Sequence, residues 1–212
     1  SILINFNARV YEKNIWLDNP TFFTAEGRPL VRQGDPAYFL NIAMYLKKNI
    51  PIEEYYNKLN FPNKTKKAYA PLLSSLIAYL AKDSSLEEII KTGNNLVLIS
   101  SVLTTIGIFV LFYVIGRPFE ALLASLGAGI SYAYFSRSSY GYIDTDILNL
   151  FFMYFLFAII YLASKKQAWF KSILFVILAG LIGKIFYLWY PKPELIILSF
   201  LSLVFFTSIN TS

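Results

Sequence analysis

Tyr134-Phe-Ser-Arg-Ser-Ser-Tyr-Gly-Tyr-Ile-Asp-Thr-Asp-Ile-Leu-Asn149 lies between two long apolar runs, Phe119–Phe135 and Ile147–Ala163. Each run approaches the roughly 20 residues that a helix needs to cross a bilayer. Within the stretch sit one cation, Arg137, and two carboxylates, Asp144 and Asp146, with Gly141 before them. Charges this close to hydrocarbon are costly and mark function by default. An Asp-x-Asp pair on a short loop can aim both carboxylates at one point, which suits a hard divalent cation. The chain contains no His and no Cys. A bound metal is therefore held by oxygen, which favours Mg²⁺ or Mn²⁺ over Zn²⁺ or Cu²⁺. The same two acids also suit the start of the next helix, as caps that meet its positive end. Cap and ligand are compatible, and both readings are open at this level.

Working outward, the composition supports a membrane protein. Of 212 residues, 56% are hydrophobic and 18% aromatic, more apolar surface than a soluble domain of this size buries. The apolar residues fall in blocks, with expected spans at 96–115, 119–135, 147–163, 169–189 and 195–209. The last is short and reads as truncated, and Ser1–Phe6 reads as the tail of a helix already begun. The expectation is a piece of a longer protein. The fold class is all-α, a polytopic transmembrane helical bundle. Small residues Ala124, Ser125, Gly127, Ala128 and Gly129 in the second span favour close helix packing.

Residues 1–95 are read as one polar external segment with amphipathic helices. Asp35-Pro36 is a helix start, Asp as N-cap and Pro at the first helical position. Phe39, Ile42, Ala43, Leu46 and Ile50 then recur at helical spacing until Pro51. Asn57–Lys67 reads as a loop, and its Asn63-Lys-Thr65 is a sequon match of the kind that arises by chance. A second helix follows Pro71, with Leu73, Leu76, Ile77 and Leu80 on one face. Ser85-Leu-Glu-Glu88 is a capping box for a third. Helices of this type can lie in the membrane interface.

Charge sets the orientation. The net charge is +6, which fits anionic lipid headgroups, and no basic run is dense enough for nucleic acid. Arg117 occupies one short turn and Lys165 and Lys166 another, both on one side of the membrane. The positive-inside rule places that side in the cytoplasm. Residues 1–95 and the Asp-x-Asp loop then share the opposite face, so Asp35 can meet Asp144 and Asp146. Lys184, inside a span but near Tyr190, is read as a snorkelling side chain.

With Asp35 in Gly34-Asp-Pro-Ala-Tyr38, and Ser136-Arg-Ser-Ser-Tyr-Gly-Tyr-Ile-Asp-Thr-Asp146, the chain resembles oligosaccharyltransferase catalytic subunits of the PglB, AglB and STT3 types. The Arg-x₆-Asp-x-Asp spacing and Tyr187-Leu-Trp-Tyr-Pro191 look most like the bacterial PglB branch. The resemblance implies a GT-C-type fold in the cell (inner) membrane, with the active site facing the periplasm. It implies transfer of a glycan from a polyprenyl-pyrophosphate carrier, a lipid-linked oligosaccharide, to the side-chain amide of Asn in Asn-x-Ser/Thr. Carried over by position, Asp35 matches the first acidic motif, and Asp144 and Asp146 the second. Arg137 matches the arginine that stabilises the first acid. The implied metal ligands are Asp35, Asp144 and Asp146, holding Mg²⁺ or Mn²⁺. Gln33-Gly-Asp35 offers one acid where some members of the family have two. The family's later catalytic acid, sequon-reading motif and C-terminal domain have no counterpart within these residues.

The implied chemistry suits the residues. An amide nitrogen is a poor nucleophile, and carboxylates that accept its N–H bonds can weaken its conjugation and take up a proton. The pyrophosphate leaving group develops negative charge that a cation stabilises. Two other classes fit parts of the pattern. One is a lipid-sugar glycosyltransferase of the same fold acting on a hydroxyl acceptor. The other is a non-enzymatic membrane protein such as a transporter, which would place its charges near the bilayer midplane, whereas here the acids gather at the outer surface.

Overall fold

The computed structural model describes residues 1–212 except 26–27, 32–33, 60–68, 166–167, 195, 199–200, 202–204, 206–207 and 210–212. It is helical apart from one two-rung antiparallel ladder, β1 (Thr24–Ala25) with β2 (Arg28–Pro29), pairing Thr24 with Pro29 and Ala25 with Arg28. The chain forms two compact units. One holds residues 1–6, 100–135 and 145–212, and the other 7–99 and 136–144. Among the described residues, three helices are long and apolar enough to cross a membrane: α6 (Leu86–Ile115), α9 (Asp146–Ser164) and α10 (Trp169–Trp189).

In the first unit, α9 and α10 form an antiparallel hairpin. Leu156, Ile159 and Ile160 of α9 bury against Ala179 of α10, flanked by Phe155, Phe175 and Ile182. Phe152 stacks on Phe186 with ring centroids 5.3 Å apart. Several buried polar groups here bond to backbone carbonyls, which offsets their removal from water. The Tyr134 hydroxyl donates to the carbonyls of Ser101 (2.9 Å) and Ile147 (3.2 Å), and Thr104 Oγ1 also donates to the Ile147 carbonyl. Asn5 Nδ2 donates to Ser101 O at 3.0 Å. Trp189 Nε1 donates to Thr145 O at 2.7 Å, tying the end of α10 to the residue before α9. The helix α7 (Pro118–Ile130) packs closely through Gly129, where an added Cβ would lie 2.6 Å from Thr105 Cγ2. Of the small-residue run, Ser125 and Gly129 are buried, whereas Gly127 is exposed with open space around it.

Two spans differ from expectation. The run 119–135 is not one helix. Backbone at Ser131 turns extended (ψ 136°), its N–H and Oγ both reach back to Ala128 O, and a short α8 (Tyr132–Arg137) follows. A serine hydroxyl competing for the helix carbonyls behind it favours such a break. Conversely, α6 begins at Leu86 rather than 96 and absorbs the third amphipathic helix. Asn94 and Asn95 read as a boundary, but no proline interrupts the run, and Asn94 is buried with its side chain in use. Gly116 ends α6 at φ +92°. Its N–H bonds Tyr113 O, and Arg117 N–H bonds Phe112 O, both at 3.0 Å, the Schellman arrangement that glycine makes cheap. The expected fifth span, 195–209, falls largely outside the described residues, as do Lys166 and the sequon match at 63–65.

In the second unit, α3 (Gly34–Lys47) buries Phe39, Ile42 and Ala43 on the expected face. It meets α5 (Leu72–Leu80), which buries Leu73 and Ile77, and Ser74 Oγ donates to Phe39 O at 2.9 Å. The helix begins at Gly34, so Asp35 sits in its first turn instead of capping it. Ser85 caps α6 through its Oγ to Glu88 N–H, but Glu88 returns to Lys82 N–H rather than to Ser85. An additional helix, α4 (Ile52–Leu59), follows Pro51 and takes up the first residues of the expected loop. Residues 2–18 form a long helix, α1 (Ile2–Asp18), where sequence reading had marked only its first turn. A single turn, α2 (Pro20–Phe23), follows it.

Candidate functional site

Of the four residues singled out from sequence, Asp35, Arg137 and Asp144 belong to the second unit and Asp146 to the first. Asp35 is exposed in the first turn of α3, where its charge favours the helix's positive end. Asp146 is the first residue of α9, after the N-cap Thr145, and accepts a 3.2 Å hydrogen bond from the Asn149 side-chain Nδ2; no side-chain cap bond is made there, so its carboxylate lies in the first turn rather than capping the helix. Asp144 is only 8% exposed, at the end of segment 136–144. A carboxylate taken so far out of water is expensive unless bonds or a cation compensate it.

Segment 136–144 is built as a buried turn. Ser138, Ser139, Tyr140, Tyr142 and Ile143 are all buried. Tyr142 N–H bonds Ser139 O at 3.1 Å, with Gly141 between them at φ +85°, the geometry of a type II turn that demands glycine at its third position. Arg137 Nη1 donates to the Tyr142 hydroxyl, and the guanidinium lies over the Tyr142 ring, 5.4 Å from its centroid. That cation–π contact fixes an otherwise flexible side chain beside the acidic motif.

The residues that hold this turn come from α1 and α6. Arg9, with no exposed surface, donates from Nη2 to Ser138 Oγ at 2.6 Å. Glu12 Oε2 accepts Tyr140 N–H, and Asn94 Oδ1 accepts Gly141 N–H, each at 3.0 Å. Trp16 packs with Tyr140 and Leu98, edge-on to Tyr140 and stacked on Phe23. Gly93 of α6 lets Ile143 come close, since a Cβ there would meet Ile143 Cδ1 at 2.8 Å. Burial pushes the Tyr140 phenol above its ordinary range, while a hydrogen bond with Asn94 acts the other way. Sequence reading missed all of these. The available signal was spacing: Asn5, Arg9, Glu12 and Trp16 recur every three or four residues on one helical face.

The donor chemistry here is carboxylate only, which suits Mg²⁺ or Mn²⁺. Among the described residues no group of three or more acidic side chains forms a cluster that could hold a metal. A small hard cation is commonly held by one or two carboxylates together with waters and substrate phosphates.

A chain largely helical across its described residues, with three helices long and apolar enough to span a membrane and an acidic motif at the start of one of them, is that of a polytopic membrane protein. The family model described as "Oligosaccharyl transferase STT3, N-terminal" matches residues 3–211, and the chain belongs to this family. Among solved structures it is similar to the oligosaccharyltransferase of Archaeoglobus fulgidus in the apo form, at 17% identity and a TM-score of 0.70. That match covers 88% of this chain and 23% of the archaeal one. The same archaeal protein tethered by a disulfide bond to an acceptor peptide containing the NVT sequon matches at 17% identity and a TM-score of 0.64, covering 76% and 20% respectively. The chain thus spans under a quarter of the length of these structures. No curated protein sequence matches it.

Proposed function

We propose that this chain forms the N-terminal membrane part of an oligosaccharyltransferase. The full-length protein transfers a glycan from a polyprenyl-pyrophosphate carrier to the Asn amide of Asn-x-Ser/Thr. The single observation that carries this reading is the family match over residues 3–211, which includes both acidic motifs. Asp35, Asp144 and Asp146 hold Mg²⁺ or Mn²⁺, and the cation supplies charge stabilisation for the pyrophosphate leaving group. Arg137 is the cation of the motif and offsets the mutual repulsion of the carboxylates. The acceptor is a sequon-bearing protein or peptide, and the site faces the periplasm of a bacterial-type cell.

The test is glycosylation of an Asn-x-Thr peptide by the purified full-length protein, with its lipid-linked donor. Asp144→Ala and chelation each abolish transfer, and Asp144→Asn loses nearly as much, because the amide keeps the shape without the charge. Arg137→Ala is milder, since it leaves the ligands in place. Full activity of Asp144→Ala at matched expression removes the catalytic reading and leaves Asp144 a structural residue.

A further inference from the structure

We infer that Arg9, with Glu12 and Asn94, forms a clamp that sets the position of the second acidic motif, so that Arg9 is a positioning residue for catalysis. The inference rests on the function proposed above, and its structural half can be decided without it.

Three side chains converge on three residues within a four-residue stretch of the turn. Arg9 bonds the Ser138–Ser139–Tyr140–Gly141 stretch at Ser138 Oγ, Glu12 at Tyr140 N–H and Asn94 at Gly141 N–H. Two of the three bonds go to backbone, so they fix the path of the chain whatever its side chains do. Arg9 and Glu12 are ionised groups, and hydrogen bonds to charged partners are shorter and about twice as strong as neutral ones. From Gly141 the chain needs only three more residues to reach Asp144, and Tyr142 and Ile143 between them are buried. The position of the Asp144 carboxylate is therefore dictated by where Tyr140 and Gly141 are pinned.

A purely structural role would not call for a buried arginine. Burying a guanidinium costs several kcal/mol before its bonds repay it, and an apolar residue of like volume fills such a site more cheaply. An arginine here supplies direction: a planar donor array with one hand on Ser138. It also places a fixed positive charge in the same unit as Asp35 and Asp144. Residues that orient ligands in this way commonly change metal affinity or activity by about 10–100-fold when removed.

The test uses the full-length protein with two readouts. The first is hydrogen–deuterium exchange of the peptide covering 136–144. Arg9→Met and Glu12→Gln each speed its exchange at least tenfold, exchange in α10 is unchanged, and Arg9→Lys recovers only a minor part of the protection, since an ammonium lacks the planar donor array. The second is peptide glycosylation against added Mg²⁺ or Mn²⁺. Arg9→Met lowers kcat about 10–100-fold and raises the metal concentration for half-maximal rate, with the KM for peptide unchanged. Unaltered exchange in Arg9→Met overturns the clamp. Loosened exchange with unaltered kcat and metal dependence overturns the positioning role. If the unmodified protein transfers no glycan, the proposed function fails, and the exchange data still decide the clamp.

Discussion

Adding one methyl group at Gly141 strikes the turn at its tightest point. The residue sits at φ +85°, where any side chain is strained, at a cost of about 1–2 kcal/mol. A Cβ there would also lie 2.6 Å from Trp16 Cη2, 3.1 Å from Cζ3 and 3.3 Å from the carbonyl oxygen of Leu30. The indole cannot swing aside, because it is stacked on Phe23 with centroids 4.6 Å apart and wedged edge-on against Tyr140 at 5.4 Å. Overpacking of this kind adds about 1–3 kcal/mol, so Gly141→Ala should destabilise by about 2–5 kcal/mol. Gly116 supplies the control: its φ is +92°, and an added Cβ meets nothing within 4 Å. Gly116→Ala therefore carries the backbone term alone, about 1–2 kcal/mol. The assay is thermal unfolding of both variants in the same detergent, followed by an intrinsic tryptophan signal. Equal losses in the two variants would refute the steric argument and the close Trp16–Gly141 contact with it.

Trp189→Phe removes the indole donor to Thr145 O and leaves that carbonyl with its bond from Leu148 N–H at 3.2 Å, a loss of about 0.5–1.5 kcal/mol measurable by the same unfolding assay. Tyr38 is held above the ordinary phenol range, first by burial and then by its bond to the Tyr56 hydroxyl (2.6 Å). A raised folded-state pKa means stability that is complete below about pH 10 and is lost as pH rises beyond it. Tyr38→Phe should flatten that alkaline slope in a pH series of melting temperatures. The orientation is tested by impermeant thiol labelling in intact cells: cysteine at the exposed Lys82 reacts, and cysteine at Arg117 in the turn after α6 does not. The reverse pattern would invert the topology. Ser139 is unsuited to such labelling despite its place between spans, because it is fully buried.

The helices that sequence made readable are those whose pattern is local. Phe39, Ile42 and Ala43, or Leu73 and Ile77, announce a buried face by spacing alone. The α9–α10 hairpin follows from two apolar runs and a short turn. The break at Ser131 was hidden, because one hydroxyl and a change in ψ leave no mark in an apolar average. At the site, Arg137, Asp144 and Asp146 stood out as charges between apolar runs and Asp35 as a helix start, and the family resemblance then grouped them. Arg9, Glu12 and Asn94 did not stand out, since their partners lie far along the chain and hydrogen bonding across such distances has no sequence period. The acidic motif was expected to be an open loop. It is a buried turn because serines and tyrosines, polar by type, found internal partners.

The clamp also sets an order of events during synthesis. Arg9 and Ser138 are 129 residues apart in sequence, and Glu12 and Tyr140 are 128 apart. At roughly 5–20 residues per second, α1 is made about 6–26 seconds before the segment it grips. Through that interval the membrane-length α6 and the shorter apolar α7 emerge while a charged helix face waits for its partner. Pairings of such long range close late and cost the most loop entropy. The acidic motif is therefore among the last parts of this chain to mature, and a ribosome stalled before residue 136 would leave Arg9 and Glu12 on a surface that their final partners have yet to cover.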